Sequence, residues 1–393
     1  MKKTLVIAGL AVLSTSAFAS KARMEALGQG SYSYYLNDSR SVFLNPAALN
    51  DMKNYVVTEW GAAQQADLTT SPRAEGGFFR EMGSFAYGLY LGNNGAARTV
   101  GSTGKFLDHQ NAMDLMLAGD MGMKWGARLH YANSKDESAS TAHPVNAKNS
   151  ALGLGLGLSH GDMEAYTNIT LSDKSEGAAV AGDIWKRKPG FQVGGSYKWS
   201  GMTYFADYNS TNEEVTAGSA ALTSATLGST LTLIATGTTA THKTSDITVG
   251  AARVHEVNPG ARIMTDAKLV LSSEEIGGSS NTTVNGKVKT TTLPVTIGME
   301  ADATSWLTLR GNVHQNVILG STKSIAGKTT TIANSTTVDA GATLNFGKLK
   351  VDGSIGNTGA GNTYTETNGK VTSKTGVLST SNLLTRVGVT YMF

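Results

Sequence analysis

Apolar and polar or small residues alternate along most of this chain. Phe85, Tyr87, Leu89 and Leu91 are separated by Ala86, Gly88 and Tyr90. Met123, Trp125, Ala127, Leu129 and Tyr131 are separated by Lys124, Gly126, Arg128 and His130. Leu152, Leu154, Leu156 and Leu158 enclose Gly153, Gly155 and Gly157. The same period continues through Phe191–Trp199, Ile263–Leu271 and Leu293–Met299. A two-residue period places apolar side chains on one face of a strand and polar or small ones on the other.

The connections alternate as well. Short, turn-forming stretches occur at Glu81–Gly83, Asp120–Gly122, Ser159–Gly161, Ser200–Gly201, Asn258–Gly260, Asp302–Ser305 and Gly347–Lys348. They read as hairpins. Between them lie long Ser-, Thr-, Asn- and Gly-rich stretches: 92–109, 134–147, 210–244, 273–290, 318–335 and 357–380. The pattern predicts an all-β, up-and-down antiparallel barrel of about 16 strands, or about 14 if the segments near 55–61 and 74–80 do not join it. Short turns on one side and long loops on the other are the arrangement of outer-membrane barrels, with the short turns periplasmic. The break in alternation at Arg253–Glu256 predicts a β-bulge.

Composition agrees. The 393 residues include 46 Gly and only 6 Pro, 40% are hydrophobic, and mean hydropathy is −0.15. A barrel needs an apolar residue only at every second position, whereas a helical span needs about 20 in succession. No segment after the N-terminus offers such a run. With no Cys, disulfides and thiolate chemistry are excluded. A net charge of +3 without a concentrated basic patch argues against nucleic-acid binding.

The first 19 residues have the form of a cleaved signal peptide: Lys2 and Lys3, an apolar Thr4–Leu13, and Ala17-Phe18-Ala19 before the cut. The expected organisation is 1–19 signal peptide, 20–54 a non-alternating segment, and 55–393 the barrel. Val387, Val389, Tyr391 and Phe393 share one face and end the chain, which resembles the C-terminal signal by which outer-membrane barrels reach their assembly machinery. Trp60, Tyr131, Trp199, Tyr208 and Trp306 lie near strand ends, as interfacial aromatics do.

The non-alternating segment contains Ala26-Leu27-Gly28-Gln29-Gly30, then Asp38-Ser39, then Asn45-Pro46-Ala47-Ala48-Leu49. In order and spacing these resemble the opening of the FadL/TodX family of outer-membrane transporters and its PorV-like relatives. The chain as a whole also resembles abundant porins of predatory or environmental proteobacteria. The family resemblance implies that residues 20–54 form a hatch or plug at the periplasmic end, with Gly28, Gly30, Asp38, Asn45 and Pro46 as its motif residues. It also implies sideways release of hydrophobic solutes into the membrane. The plain alternative is that Asn45–Leu49 only caps the barrel end.

The residues assigned inward differ from a greasy tunnel. Lys124, Arg128, His130, Lys198, Arg262, Lys268, His314, Arg310 and Arg386 are set against Asp266, Glu300 and further acids, which suggests a wet interior. The leading functional expectation is therefore a porin passing small hydrophilic solutes with weak ion selectivity, its lumen field set by Arg128, Arg262, Arg310, Lys124 and Glu300. FadL-like uptake of hydrophobic molecules is the second reading, and a closed surface-recognition barrel acting through its long loops is the third. Expected partners are outer-membrane lipid, lipopolysaccharide, the barrel-assembly machinery and small solutes, and a homotrimer is left open. No enzyme, cofactor or metal is expected. Gly153–Gly157 opens no βαβ unit, and the seven His show no ligand spacing.

Overall fold

The computed structural model describes residues 20–30, 32–61, 74–93, 99–100, 104–106, 109, 111–136, 147–177, 182–218, 221–227, 230–278, 285–318, 322–324, 327–329, 336–359, 365–367, 370–373 and 386–393. The expected signal peptide lies outside them.

Sixteen antiparallel strands close on themselves. They are β1 (Tyr55–Trp60), β2 (Ala74–Met82), β3 (Phe85–Leu91), β4 (Met113–Asp120), β5 (Lys124–Asp136), β6 (Ala147–His160), β7 (Met163–Glu176) and β8 (Gly190–Trp199). The ring continues through β9 (Met202–Thr216), β10 (Thr239–Asn258), β11 (Ala261–Gly277), β12 (Gly286–Asp302), β13 (Leu307–Ile318), β14 (Thr337–Phe346), β15 (Leu349–Gly359) and β16 (Arg386–Met392). Closure is made by β1 on β16, from Tyr55↔Met392 to Trp60↔Val387. The count and the short hairpins agree with the period-2 reading. At Ser200-Gly201 both residues have positive φ, +51° and +75°, the geometry of a two-residue hairpin whose twist matches its strands.

Its faces are inverted relative to a soluble barrel. Leu156, Leu158, Val249, Ile297 and Met299 are exposed on the outside, while their strand neighbours Gly157, Thr248, Thr296 and Glu300 point inward. Val387 and Val389 are half-buried and Tyr391 and Phe393 exposed, and Thr390 between them is buried. No helix among the described residues is long and apolar enough to cross a membrane.

Two expectations require correction. The stretch 210–244 is largely strand rather than loop: β9 runs to Thr216, β10 starts at Thr239, and Leu222–Leu227 pairs with Thr230–Ile234 in a small separate sheet. Stretch 273–290 likewise contains the ends of β11 and β12. Ser and Thr satisfy a strand that is polar on both faces, so the backbone pairs without leaving an alternation to read. Around Phe106, Trp185, Val215, Ala217, Ile234, Ala240 and Ile276 these extensions close over a small apolar core. The expected bulge at Arg253–Glu256 lies one residue later: the β10–β11 register is regular through Glu256 and skips Val257.

Besides register shifts at Leu293/Pro294 and Asp339/Gly341, the wall is interrupted beside β8. The strand segment Ile184–Arg187 precedes β8 and pairs with Asp173–Glu176 of β7 and Glu213–Thr216 of β9, whereas β8 itself pairs with residues up to Thr170 and Ser210. Lys188 and Pro189 lie between, and Pro lacks the N–H that a ladder requires. On the β7 side the register is the same before and after this gap, with Leu171 and Ser172 unpaired across from it, and the β6–β7 pairing skips Leu171.

Candidate transport site

Residues 20–54 fold into three short helical pieces inside the short-turn end of the barrel: α1 (Lys21–Ala26), α2 (Ser41–Leu44) and a 3-10 turn at Pro46–Asn50. Pro46 stands in the first turn, where no N–H is needed, and the Asn45 side chain accepts from the Ala47 N–H at 3.1 Å. The wall is hollowed to receive this turn. A Cβ on Gly126 of β5 would lie 2.2 Å from the Pro46 carbonyl carbon, and one on Gly157 of β6 would lie 1.9 Å from Asn45 Oδ1. Gly126 and Gly157, on adjacent strands, are thus the seat of the Asn-Pro turn, while Gly155 makes room for Asn168 and Arg128. Gly28, at φ +71°, ends α1 against Thr296 and Asn312. A Cβ on Gly30 would meet nothing within 4 Å.

The segment is held by two buried arginines that the sequence reading did not single out. Arg23 is 2% exposed, and its Nε donates to Glu300 Oε2 at 2.8 Å. Glu300 also accepts from Arg262 Nε at 2.9 Å and from Arg310, which reaches on to Thr343 and to Asp352 at 3.3 Å. Arg40 Nη1 donates to the Tyr90 hydroxyl at 3.0 Å and to Glu59 at 3.3 Å, and stands 3.4 Å from Glu75. Tyr90 in turn donates to Glu59 at 2.8 Å. The Arg40 guanidinium lies 4.1 Å above the Phe43 ring, within the apolar cluster of Val42, Leu49, Met52, Tyr55 and Phe79. Buried charges persist only when paired and hydrogen-bonded, so these contacts fix where the segment can sit.

Further bonds reach the wall on other sides. Asp266 accepts from Gln29 at 3.1 Å and Tyr35 at 2.9 Å, Gln192 donates to Tyr32 at 2.9 Å, and Arg386 pairs with Glu25 at 3.1 Å. Asp38, fully buried, caps the Arg40 N–H at 2.8 Å and lies 3.9 Å from Arg23. Burial raises its carboxyl to about 7, against the opposing pull of Arg23.

Of the residues expected inside the barrel, Arg262, Glu300 and Arg310 therefore form one cluster with Arg23, and Lys124 meets Asp51 at 2.5 Å. His314 Nδ1 is 3.0 Å from Thr296 Oγ1, and Lys268 is 3.9 Å from Asp266. Lys198 lines a small space with Ser33, Asn45 and Glu164. Arg23 and Arg40 were missed because the period-2 search does not apply to a non-alternating segment, and Glu59, Glu75 and Tyr90 because a strand period does not tell which inward residues an N-terminal segment will meet.

Arg128 and His130 belong elsewhere. They line a cavity of about 340 Å3 beyond the segment, together with Asn93, His109, Asn168, Asp173, Arg187, Gln192 and Asn209. Leu152, Ile169 and Phe191 line it as well, beside the interrupted wall at Lys188-Pro189. Among the described residues no group of three or more His, Asp or Glu could hold a metal ion.

No family model matches the chain, and no curated protein does. Solved structures with a similar arrangement include the CymD monoaromatic hydrocarbon channel, at 13% identity and TM-score 0.40, covering 94% of this chain and 96% of that one. The Ralstonia pickettii toluene transporter TbuX is 12% identical with TM-score 0.38, covering 97% and 100%. The Pseudomonas putida toluene transporter TodX is 13% identical with TM-score 0.37, covering 96% and 99%. Likeness at this level carries no functional information. The class of protein rests on the molecule itself: a closed antiparallel barrel, apolar outside, polar inside, and occupied at its short-turn end by its own N-terminal segment.

Proposed function

We propose that this chain is a hatch-closed uptake channel of the bacterial outer membrane, FadL-like in plan, carrying small organic molecules with an apolar body. The observation that carries the reading is the N-terminal segment, tied to the barrel wall on several sides through buried Arg23 and Arg40. Membrane placement is supported by the apolar exterior, because lipid is the only solvent that rewards such a face over a closed polar interior. A solute reaching the cavity must displace the hatch or leave through the wall, and the interrupted ladder beside Leu152, Ile169 and Phe191 is where that wall is irregular next to it.

Single-channel conductance of the refolded protein in a planar bilayer tests this. Wild-type protein should give no stable large steps, and Arg40→Ala, by loosening the hatch, should give frequent openings. Large ohmic steps from the wild type would instead support the second reading, passive diffusion of hydrophilic solutes, which the polar side of the cavity lining favours.

A further inference from the structure

The outer face changes character towards the long-loop end. On β7 and β8 the apolar wall ends with Leu171 and Phe191, both exposed, and the Phe191 ring lies 5.5 Å from that of Tyr208 on β9. Past them the strands continue with lysine. Lys135 on β5, Lys148 on β6, Lys174 on β7 and Lys186 in the segment before β8 stand at outward positions, since their neighbours Ser134, Asn149, Asp173, Ser175 and Trp185 are buried on the inner face. Lys188 follows at the break in the ladder and is likewise exposed.

The register sets like charges against each other. Lys135 lies directly opposite Lys148, and Lys174 directly opposite Lys186. Such pairs weaken a sheet unless a counter-charge joins them. Two carboxylates offset them in part. Glu176 is shared by Lys148, at 2.7 Å, and Lys174, and Glu214 by Lys186, at 3.0 Å, and Lys188, at 2.5 Å. Each carboxylate therefore serves two ammonium groups, and the side chains of these four lysines stay 47–61% exposed.

Surplus positive charge on flexible stems, set at the edge of an apolar outer wall, fits one kind of partner. Lysine meets phosphate as a point charge. A lipid whose acyl chains lie along Leu171 and Phe191 brings its head to the level of the lysines. A water-soluble anion gains nothing from that wall, and a protein partner needs an apolar anchor at the centre of its contact, where this patch has only charge.

We infer that this patch is a docking surface for an outer-leaflet lipid with more than one phosphate on its head, of the lipopolysaccharide kind. The inference rests on the outer-membrane placement proposed above and not on the hatch, so channel conductance does not bear on it.

The test is native mass spectrometry of the refolded full-length protein in detergent, titrated with bisphosphorylated lipid A, phosphatidylglycerol or phosphatidylethanolamine. Lipid A should bind more tightly than phosphatidylglycerol by about tenfold or more, because a lysine beside anionic lipid is worth up to about fivefold and the second phosphate engages further lysines. Replacing Lys148, Lys174, Lys186 and Lys188 together with Gln should lower lipid A binding by about tenfold or more. The same change at Lys243, Lys287 and Lys289, which are exposed on β10 and β12, should lower it by less than about threefold, as expected of charges outside the site. Glu176→Gln with Glu214→Gln should strengthen binding by about threefold, since it frees lysines from exposed ion pairs. That gain keeps the test decisive if the fourfold variant loses the heat-modifiable barrel band on a gel. Equal binding of lipid A and phosphatidylglycerol, or an equal loss in the Lys243, Lys287 and Lys289 variant, would overturn the inference in favour of general attraction between a basic surface and anionic lipid. Full displacement of lipid A by millimolar inorganic phosphate would reassign the patch to a free anion. A protein that enters vesicles of no composition would sink the membrane placement, and the docking surface with it.

Discussion

The two halves of the barrel interior are built on opposite plans. At the short-turn end Gly126 and Gly157 carry no side chains, so that a folded segment can lie against the backbone. That space is filled, and its charges are locked into the Arg23 and Arg40 clusters. Towards the long-loop end the wall is irregular at Leu171 and at Lys188-Pro189, and a cavity of about 340 Å3 remains. The filled half has almost no freedom to change without losing paired buried charge. The hollow half keeps open space beside paired groups such as His109 with Asp173 and Arg187 with Glu213. A gate and a receptor have these opposite requirements.

Removing Arg40 should disturb the filled half most. Arg40→Ala leaves Glu59 buried with only Tyr90 and the Lys21 N–H, and breaking a buried pair costs about 3–5 kcal/mol. The expected outcome is tryptic removal of residues 20–54 from a barrel that still migrates as folded; a segment that stays protected would deny Arg40 its anchoring role.

Proton binding comes next. Docking holds the Asp38 proton up to about 7, while a solvated Asp38 carboxyl releases it near 3.8. The docked form therefore binds more protons in that window. Docking is strongest below it, weakens by up to about tenfold per pH unit as pH rises through it, and levels off above it. Because the chain lacks Cys, a dye on Gly30→Cys reports the segment alone. Its anisotropy should fall from pH 4 to pH 7, and Asp38→Asn should make the profile flat. A slope that survives Asp38→Asn would assign the titration to another group.

Gly126→Ala should have a smaller effect, about 1–3 kcal/mol, because its methyl meets Pro46 backbone that cannot rotate aside. Thermal unfolding of the segment, read by the same dye, should move down accordingly. At the low end, Gly30→Ala should change stability by no more than about 0.5 kcal/mol, since nothing stands near its Cβ. A large loss there would mean that Gly30 has a role in a state of the hatch different from this one.

The barrel was legible because its physics is local. Strands with one face in lipid and one inside the barrel require the period-2 pattern that Leu152–Leu158 and Leu293–Met299 display, and the hairpins need Gly where φ turns positive. Where both faces are polar, as in the ends of β9 and β10, the pattern vanished and strand was read as loop. The hatch was legible only in its punctuation, Gly28, Asn45 and Pro46. Nothing along the chain pairs Arg23 with Glu300 or Arg40 with Tyr90.

By itself, then, the sequence determined a closed barrel of about 16 or about 14 strands and which face of most strands is apolar, since each depends on neighbouring residues and on solvent; closure through β1 on β16 fixed the count at sixteen. Only the tertiary structure decided that Gly126 and Gly157 together are the seat of a turn and that Arg262, Glu300 and Arg310 serve the hatch. The same holds for Arg23 with Glu300, 277 residues apart and 2.8 Å from atom to atom. Those contacts arise from closing the ring and folding the N-terminus into it, and ring closure sets which distant side chains meet inside.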